Sequence, residues 1–329
     1  MTVPSVYETG IEVATDGGQF STREVPWMKL GKLVERPVTA AEAAKLAGLD
    51  FDVVMCDVGY RMPDNAYYTS IPTRRAVVAA DNGDFMGFTS AKSYTPLQYA
   101  EAFDFMDGLG APYVAAGGLR KRRQGFMVVK PEFDFNVLDG QDPHGLFAVL
   151  RTSHDCSRGV EVSVMPLRGR CMNQLTLRTF AKNAEYRWSI KHTSTMHAKL
   201  KEAQESLAKL TLYADRYREL ADKLANTPVK EHAARKAIEI VIPEPKTGKT
   251  ERTHDQWIER VNTIVNLWNG SPTVGFAGTG WGLINAVSEY YDWGRAGGTA
   301  ESRFLNALEG ETHKKVNKMA GLLLAGHVG

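Results

Sequence analysis

Apolar positions along this chain follow a period of two in its first half and a helical period in its second, with a short helix and then a longer one set among the strands. Residues 1–38 keep neither period and are punctuated by Pro and Gly, which predicts an arm or a cover. Residues 39–49, T-A-A-E-A-A-K-L-A-G-L, predict a short helix with Thr39 near its N-cap and Gly48 near its end. Strand character follows over 51–60 and 75–80, and the latter run leads through Asp81-Asn82-Gly83 into 84–90. Asn-Gly between apolar runs predicts a hairpin with both turn residues at positive φ. Thr95-Pro96 then opens a helix in which Leu97, Ala100, Phe103 and Met106 recur up to Gly108. Strands return over 113–116, 125–130, 146–152, 160–165 and 174–177. This order predicts an α+β domain over 1–192, with a largely antiparallel sheet and a packed helix.

From residue 193 to 329 the pattern is helical. Met196, Leu200, Ala203, Leu207, Leu210, Ala214, Tyr217, Ala221 and Leu224 step by four and three alternately, a heptad seam. A single helix of roughly 30 residues would run about 45 Å. Its small seam residues allow close helix approach, so the seam is open to intramolecular packing or to a homo-oligomer contact. Further helices are predicted over 231–237, 255–268, 281–291 and 299–324.

Composition narrows the function classes. The 329 residues are 43% apolar and 24% charged, an ordinary globular profile, and 40 Lys and Arg against 38 Asp and Glu give a net charge of +2. Any nucleic-acid site on so balanced a chain is confined to one face. No apolar run reaches a membrane-spanning length, and the first residues lack a signal-peptide pattern, so a cytoplasmic protein without a membrane partner is expected. Cys56, Cys156 and Cys171 have neither disulfide nor zinc spacing.

One local feature stands out against that balance. Residues 117–130, G-G-L-R-K-R-R-Q-G-F-M-V-V-K, hold Arg120, Lys121, Arg122, Arg123 and Lys130 with no acidic residue between them. Such a knot at the lip of a strand suits a phosphate backbone. Downstream, Arg168, Arg170, Arg178, Lys182, Arg187 and Lys191 are interleaved with Phe180, Tyr186 and Trp188, against only Glu185. Cations along a backbone and flat rings under the bases are the usual grip on a single strand. Residues 151–159, R-T-S-H-D-C-S-R-G, read as a tight turn between strands, with Asp155 and Ser157 bonding the local backbone and Arg151 and Arg158 left for phosphate. Sequence neighbours on a strand point to opposite faces, so His154 and Asp155 are not read as catalytic partners. P-E-P-K-T-G-K-T at 243–250 resembles the end of a phosphate-binding loop, but its prolines remove the N–H donors such a loop needs. The scattered histidines and carboxylates predict no metal site and no cofactor.

Several segments together resemble a known family. They are P-W-x-x-L-G at 26–31, T-A-x-E-A-x-x-L-A-G-L-D at 39–50, and S-Y-T-P-L-Q-x-x-E-A-F-x-F at 93–105. T-S-H-D at 152–155, P-L-R-x-x-C-x-N-x-L at 166–175 and T-G-W-G-L-x-N-A-V-x-E-Y at 279–290 complete the set. The chain resembles the phage- and plasmid-borne domain of unknown function 932 family, which implies a mobile-element setting and no particular activity. Its coarse element order is also similar to that of phage single-strand annealing proteins, an analogy of topology alone. The resulting expectation is a non-enzymatic protein that binds and anneals single-stranded DNA in recombination. Its phosphate contacts would be Arg120, Lys121, Arg122, Arg123, Lys130, Arg151, Arg158, Arg168, Arg170 and Arg178, and self-association would run through the helical region. The alternative is a protein-interaction or structural module acting through the heptad helix.

Overall fold

Thr39 starts the first helix as its sequence implies: its hydroxyl accepts the Glu42 N–H at 3.3 Å, and α1 (Ala40–Leu46) ends before Gly48 at φ 65°. The structure is a computed structural model, and it describes residues 9–13, 32–34, 38–64, 67–131, 134–138, 142–168, 187–207, 210–246, 248, 250–270, 274–294 and 311–326. Within them the fold is α+β, with antiparallel sheets followed by C-terminal helices.

A three-stranded antiparallel sheet joins β3 (Val53–Tyr60), β4 (Thr69–Ala79) and β5 (Phe85–Ser90). The β4–β5 turn differs from the expected two-residue form. Only Gly83 has positive φ, while the Asn82 side chain bonds Asp84, accepting its N–H at 2.9 Å. Asn82 thus acts through its amide group rather than its backbone.

A larger eight-stranded sheet contains β1 (Thr9–Val13), β2 (Lys32–Val34), β6 (Tyr113–Leu119), β7 (Gln124–Val129), β8 (Asp134–Val137), β9 (Asp142–Ser153), β10 (Val160–Arg168) and β11 (Arg187–Ile190). Its order is β11-β10-β9-β7-β6-β1-β2, with β8 pairing the start of β9. All pairs are antiparallel except β1 with β2. β6 and β7 are buried along their whole length, which is why they read as near-continuous apolar runs rather than as alternating ones.

The helix α2 (Tyr99–Asp107) begins four residues after Thr95, with Gln98 in extended backbone at the N-cap position. Gln98 also receives the Val53 N–H at 2.8 Å and donates to the Val53 carbonyl at 3.0 Å, tying the small sheet to the helix start. The predicted heptad helix is described as α3 (Met196–Leu207) and α4 (Leu210–Ala225). Then come α5 (Glu231–Val241), α6 (Glu251–Asn269), α7 (Gly280–Glu289), a π-helical turn Tyr290–Gly294 and α8 (Glu311–Leu324). The apolar run 238–242 is the end of α5, and Thr250 caps α6 by accepting the Thr253 N–H at 3.2 Å. The resemblance of 243–250 to a phosphate loop therefore resolves into a connection between two helices. The predicted strand at 174–177 lies outside the described residues.

The seam side chains Met196, Leu200, Ala203, Leu207, Ala214, Tyr217, Ala221 and Leu224 are all buried within this one chain. Uncovering Leu200, Leu207 and Leu224 alone would cost roughly 5–9 kcal/mol at about 1.5–3 each, comparable with a domain's whole net stability. The seam is therefore intramolecular core, and self-association through this region would have to use another face. One hydrophobic core runs without interruption from Val38 on the sheet side to Leu323 in α8.

Candidate nucleic-acid interface

The basic knot forms the turn of the β6–β7 hairpin. Arg120, Lys121 and Arg122 have φ of 51°, 58° and 57°, three successive side-chain-bearing residues in left-handed backbone. Such backbone costs about 1–2 kcal/mol per residue. The surroundings hold it in place. Tyr99 donates its hydroxyl to the Arg122 carbonyl at 2.7 Å, the His154 N–H donates to the Arg123 carbonyl at 2.7 Å, and Arg122 pairs with Asp81 at 2.8 Å. The flanking glycines lie within the strands and serve close approach. A Cβ on Gly125 would stand 2.4 Å from the Tyr99 ring, so glycine there admits the tyrosine that pins the turn.

The four cations have separate fates. Arg122 is a clamp: besides Asp81 it lies over the Phe51 ring at 4.4 Å, with Asp84 at 3.9 Å. Arg123 faces the Phe85 ring at 5.9 Å. Arg120 and Lys121 are exposed and have no ion pair among the described residues.

Phe85 leads to the surface that the sequence did not reveal. Ladder pairing sets Val54, Val78 and Phe85 in one row, Cys56, Ala76 and Phe88 in the next, and Arg74 opposite Ser90 beyond them. These residues share the outer face of the small sheet. Phe85 and Phe88 are 42% and 56% exposed with ring centroids 4.7 Å apart, and Val54 and Arg74 are exposed too. The opposite face buries Val53, Val77, Ala79 and Met86. Past the β-bulge at Asp57/Gly59, Tyr60, Met62, Tyr67 and Tyr68 are exposed as well. The paired rings thus have Arg74 exposed on the same face and Arg123 beside Phe85, while Arg120 and Lys121 are exposed in the same hairpin turn as Arg123. Arg75 is paired with Asp57.

Of the remaining predicted contacts, Lys130, Arg151, Arg158 and Arg168 are described, and each is at least partly buried. Arg151 is buried and Arg158 half-buried, and with Arg187 they surround Glu161 at 3.7, 3.5 and 3.4 Å. Sequence reading missed Glu161 because the cross-strand register that faces it to Arg151 is not visible along the chain. Lys130 is half-buried at the end of β7. Arg168 corrects the expectation most clearly: it is fully buried, and its Nε lies 2.6 and 2.9 Å from the two Asp142 oxygens. Trp281 donates to the same carboxylate at 3.0 Å, which joins the P-L-R segment to the T-G-W-G segment. Arg170 and Arg178, like Phe180 and Tyr186, lie outside the described residues.

His144 sits beside this ion pair, fully buried against Phe135, Tyr217 and Trp281, with Nδ1 3.0 Å from the Asp142 carbonyl. Burial lowers its pKa to about 4, with the Arg168 charge adding to the shift and Asp142 opposing it. Because the folded pKa lies below the unfolded value, His144 stability is complete above about pH 6.5 and is lost as pH falls toward 4. The difference is on the order of 3 kcal/mol. Denaturant titrations at pH 7 and pH 4.5 should show a falling midpoint, and His144→Phe should flatten that fall.

The T-S-H-D segment packs beneath the knot. Asp155 accepts the Ser157 N–H at 2.9 Å, the local turn bond expected from the sequence, and also receives Gln124 at 3.0 Å. His154 is fully buried, with Nδ1 3.4 Å from the Tyr94 hydroxyl of the S-Y-T-P segment and its ring centroid 4.9 Å from Tyr99. Burial, reinforced by His192, lowers its pKa to about 3. His192 is buried next to it, with Nε2 3.5 Å from Thr152 Oγ1. Two segments far apart in sequence therefore meet at one chamber.

Among the described residues, no helix is long and apolar enough to cross a membrane. None of the curated proteins and none of the solved structures matches the chain. The family model described as "Domain of unknown function (DUF932)" matches residues 89–320, a span that includes the basic turn and the histidine chamber but begins just after Phe88. With more than two thirds of its length matched, including the segments at 93–105, 152–155, 166–175 and 279–290, the chain belongs to the domain of unknown function 932 family.

Proposed function

We propose that this protein binds single-stranded nucleic acid, DNA in a phage or plasmid annealing step, across the outer face of β3–β4–β5 and the tip of the β6–β7 hairpin. The observation that carries the reading is the exposed Phe85–Phe88 pair on a sheet face that also carries Arg74 and has Arg123 beside Phe85, with Arg120 and Lys121 exposed in the Arg123 turn. Aromatic rings on an open sheet offer stacking platforms to unpaired bases, and flanking cations follow the backbone. A duplex keeps its bases stacked inside and gains only the charge contacts. Strained left-handed backbone at the knot supports the same reading, since such strain persists where the surrounding structure enforces it and often marks a functional surface. The action is positional: one strand is held with its bases splayed until a complement arrives, and no catalytic group takes part.

The test is a fluorescence-anisotropy titration of a labelled oligothymidine at several salt concentrations. Three to four phosphate contacts predict a log–log salt slope of about −2 to −3 for a single strand, at roughly −0.7 per contact. A duplex of the same length should bind more weakly. No binding at low salt overturns the reading and favours a protein partner for this apolar face.

A further inference from the structure

We infer that the basic turn is an oxyanion cradle, in which the backbone N–H groups of Lys121 and Arg122 hold one phosphate group, with the charges of Arg120 and Lys121 beside them. Arg120, Lys121 and Arg122 keep φ of 51°, 58° and 57°, and the Arg123 N–H closes on the Arg120 carbonyl at 3.4 Å. They form a single turn of left-handed helix. In such a turn, as in its right-handed mirror image, the peptide groups align, with carbonyls toward one end and N–H groups toward the other. Glycine takes this backbone without strain but carries no charge. Cations at the left-handed positions bring main-chain donors and positive charge to one place, which is a use for the strain.

The carbonyl end of the turn points into the protein. Arg122 O accepts the hydroxyl of Tyr99, a fully buried side chain, at 2.7 Å. Because C=O and N–H oppose each other in a trans peptide, the N–H end faces away from Tyr99, toward solvent. Neither the Lys121 N–H nor the Arg122 N–H has an acceptor among the described residues. Adjacent N–H groups left over at the start of a turn are taken by water or by an anion.

Charge decides between the two. Arg120 and Lys121 are exposed and have no ion pair among the described residues. The nearby acids Asp81 and Asp84 are turned to the Arg122 guanidinium, at 2.8 and 3.9 Å. Arg122 therefore offers its N–H to a ligand rather than its side chain. A Cβ on Gly118 would stand 3.3 Å from the Arg122 Cα, so the turn lies back against the end of β6, a second support for its shape. Phosphate oxygens accept from backbone N–H groups and from guanidinium or ammonium groups at once, in short charge-assisted bonds. A phosphodiester and a free phosphate offer the same oxygens. As a phosphodiester contact the cradle rests on the single-strand reading above.

The experiment uses the full chain, isotopically labelled at lysine and arginine, and follows the backbone amide resonances by NMR. Inorganic phosphate, a dithymidine phosphodiester or chloride is added at constant ionic strength. The Lys121 and Arg122 amides should shift most with either phosphate and stay in place with chloride. Tyr99→Phe keeps every cation and the buried ring but loses the bond that orients the turn. It should weaken phosphate binding by about 5- to 10-fold. Circular dichroism checks that the variant is folded, and if it is not, the wild-type shifts decide. Lys121 and Arg122 amides that move no more than the other lysine and arginine amides, or unchanged affinity in folded Tyr99→Phe, overturn the cradle and leave side-chain charge as the grip. Amide shifts with inorganic phosphate but no binding of oligothymidine uphold the cradle and remove the nucleic-acid reading. Oligothymidine binding without those shifts does the reverse.

Discussion

Asp142→Ala should lower stability by about 3–5 kcal/mol, a large part of the roughly 5–15 kcal/mol that holds a domain together. Asp142 and Arg168 are both fully exclude from solvent, and the Asp142 carboxylate also accepts the Trp281 indole N–H. Removing the carboxylate strips a buried guanidinium of its counter-charge, and the Born penalty of a buried cation then falls on the folded state alone. Replacing both partners, as Asp142→Leu with Arg168→Met, should cost much less, because no buried charge remains. Some loss persists through the Trp281 N–H, at about 1–3 kcal/mol for an unsatisfied buried donor. Urea denaturation of the two variants checks this. Equal losses would mean that the ion pair contributes through packing rather than charge.

The second large effect is expected on nucleic-acid affinity and follows from the proposed function. Phe85→Ala and Phe88→Ala should each weaken single-strand binding by about 5- to 150-fold, the equivalent of roughly 1–3 kcal/mol for a stacked base. Their rings are about half exposed, so the urea midpoint should change little. Arg120→Ala with Lys121→Ala should behave differently, reducing the salt slope by about 1.4 units while leaving the stacking contribution intact. Arg122→Ala separates the clamp from the contact. It breaks the pairing with Asp81 and the cover over Phe51, so its first effect should be a loss of stability. Anisotropy titrations of the aromatic and cationic variants at two salt concentrations distinguish these outcomes. Aromatic variants with unchanged affinity would remove the outer sheet face from the interface.

Much of the architecture could be read along the chain because it rests on local rules. Thr39 caps α1 through its own hydroxyl, Gly83 takes the left-handed turn position, and the turn at Asp155–Ser157 closes by a bond two residues long. Strand runs such as 160–165 were visible from apolar content, although β10 continues to Arg168. The heptad seam showed which residues pack together, yet periodicity cannot say against what. The same stripe suits a partner helix or the chain's own core, and only the burial of Leu200, Leu207 and Leu224 within one protomer separates the two.

The cations illustrate the limit more sharply. Arg168 and Arg120 look alike in sequence, as basic residues near a strand end. One is sealed against Asp142 and the other is exposed, because Asp142 lies 26 positions away and meets Arg168 only where β9 and β10 pair. Arg151 faces Glu161 for the same reason, whereas Arg158 reaches it from three residues away. The aromatic face was hidden in another way: Phe85 and Phe88 are three residues apart, and only an irregularity in the β4–β5 ladder sets both on the outer side.

What the sequence determined by itself is the family, the α+β order of elements and the basic turn, since motifs, periodicity and short-range hydrogen bonds act between neighbours. Which cations remain exposed, where the open aromatic face lies and how Tyr94, His154 and His192 come to share one chamber were decided by tertiary structure. Those properties depend on strand register and on packing between segments dozens of residues apart, and burial is what turns one arginine into a clamp and leaves another free in solvent.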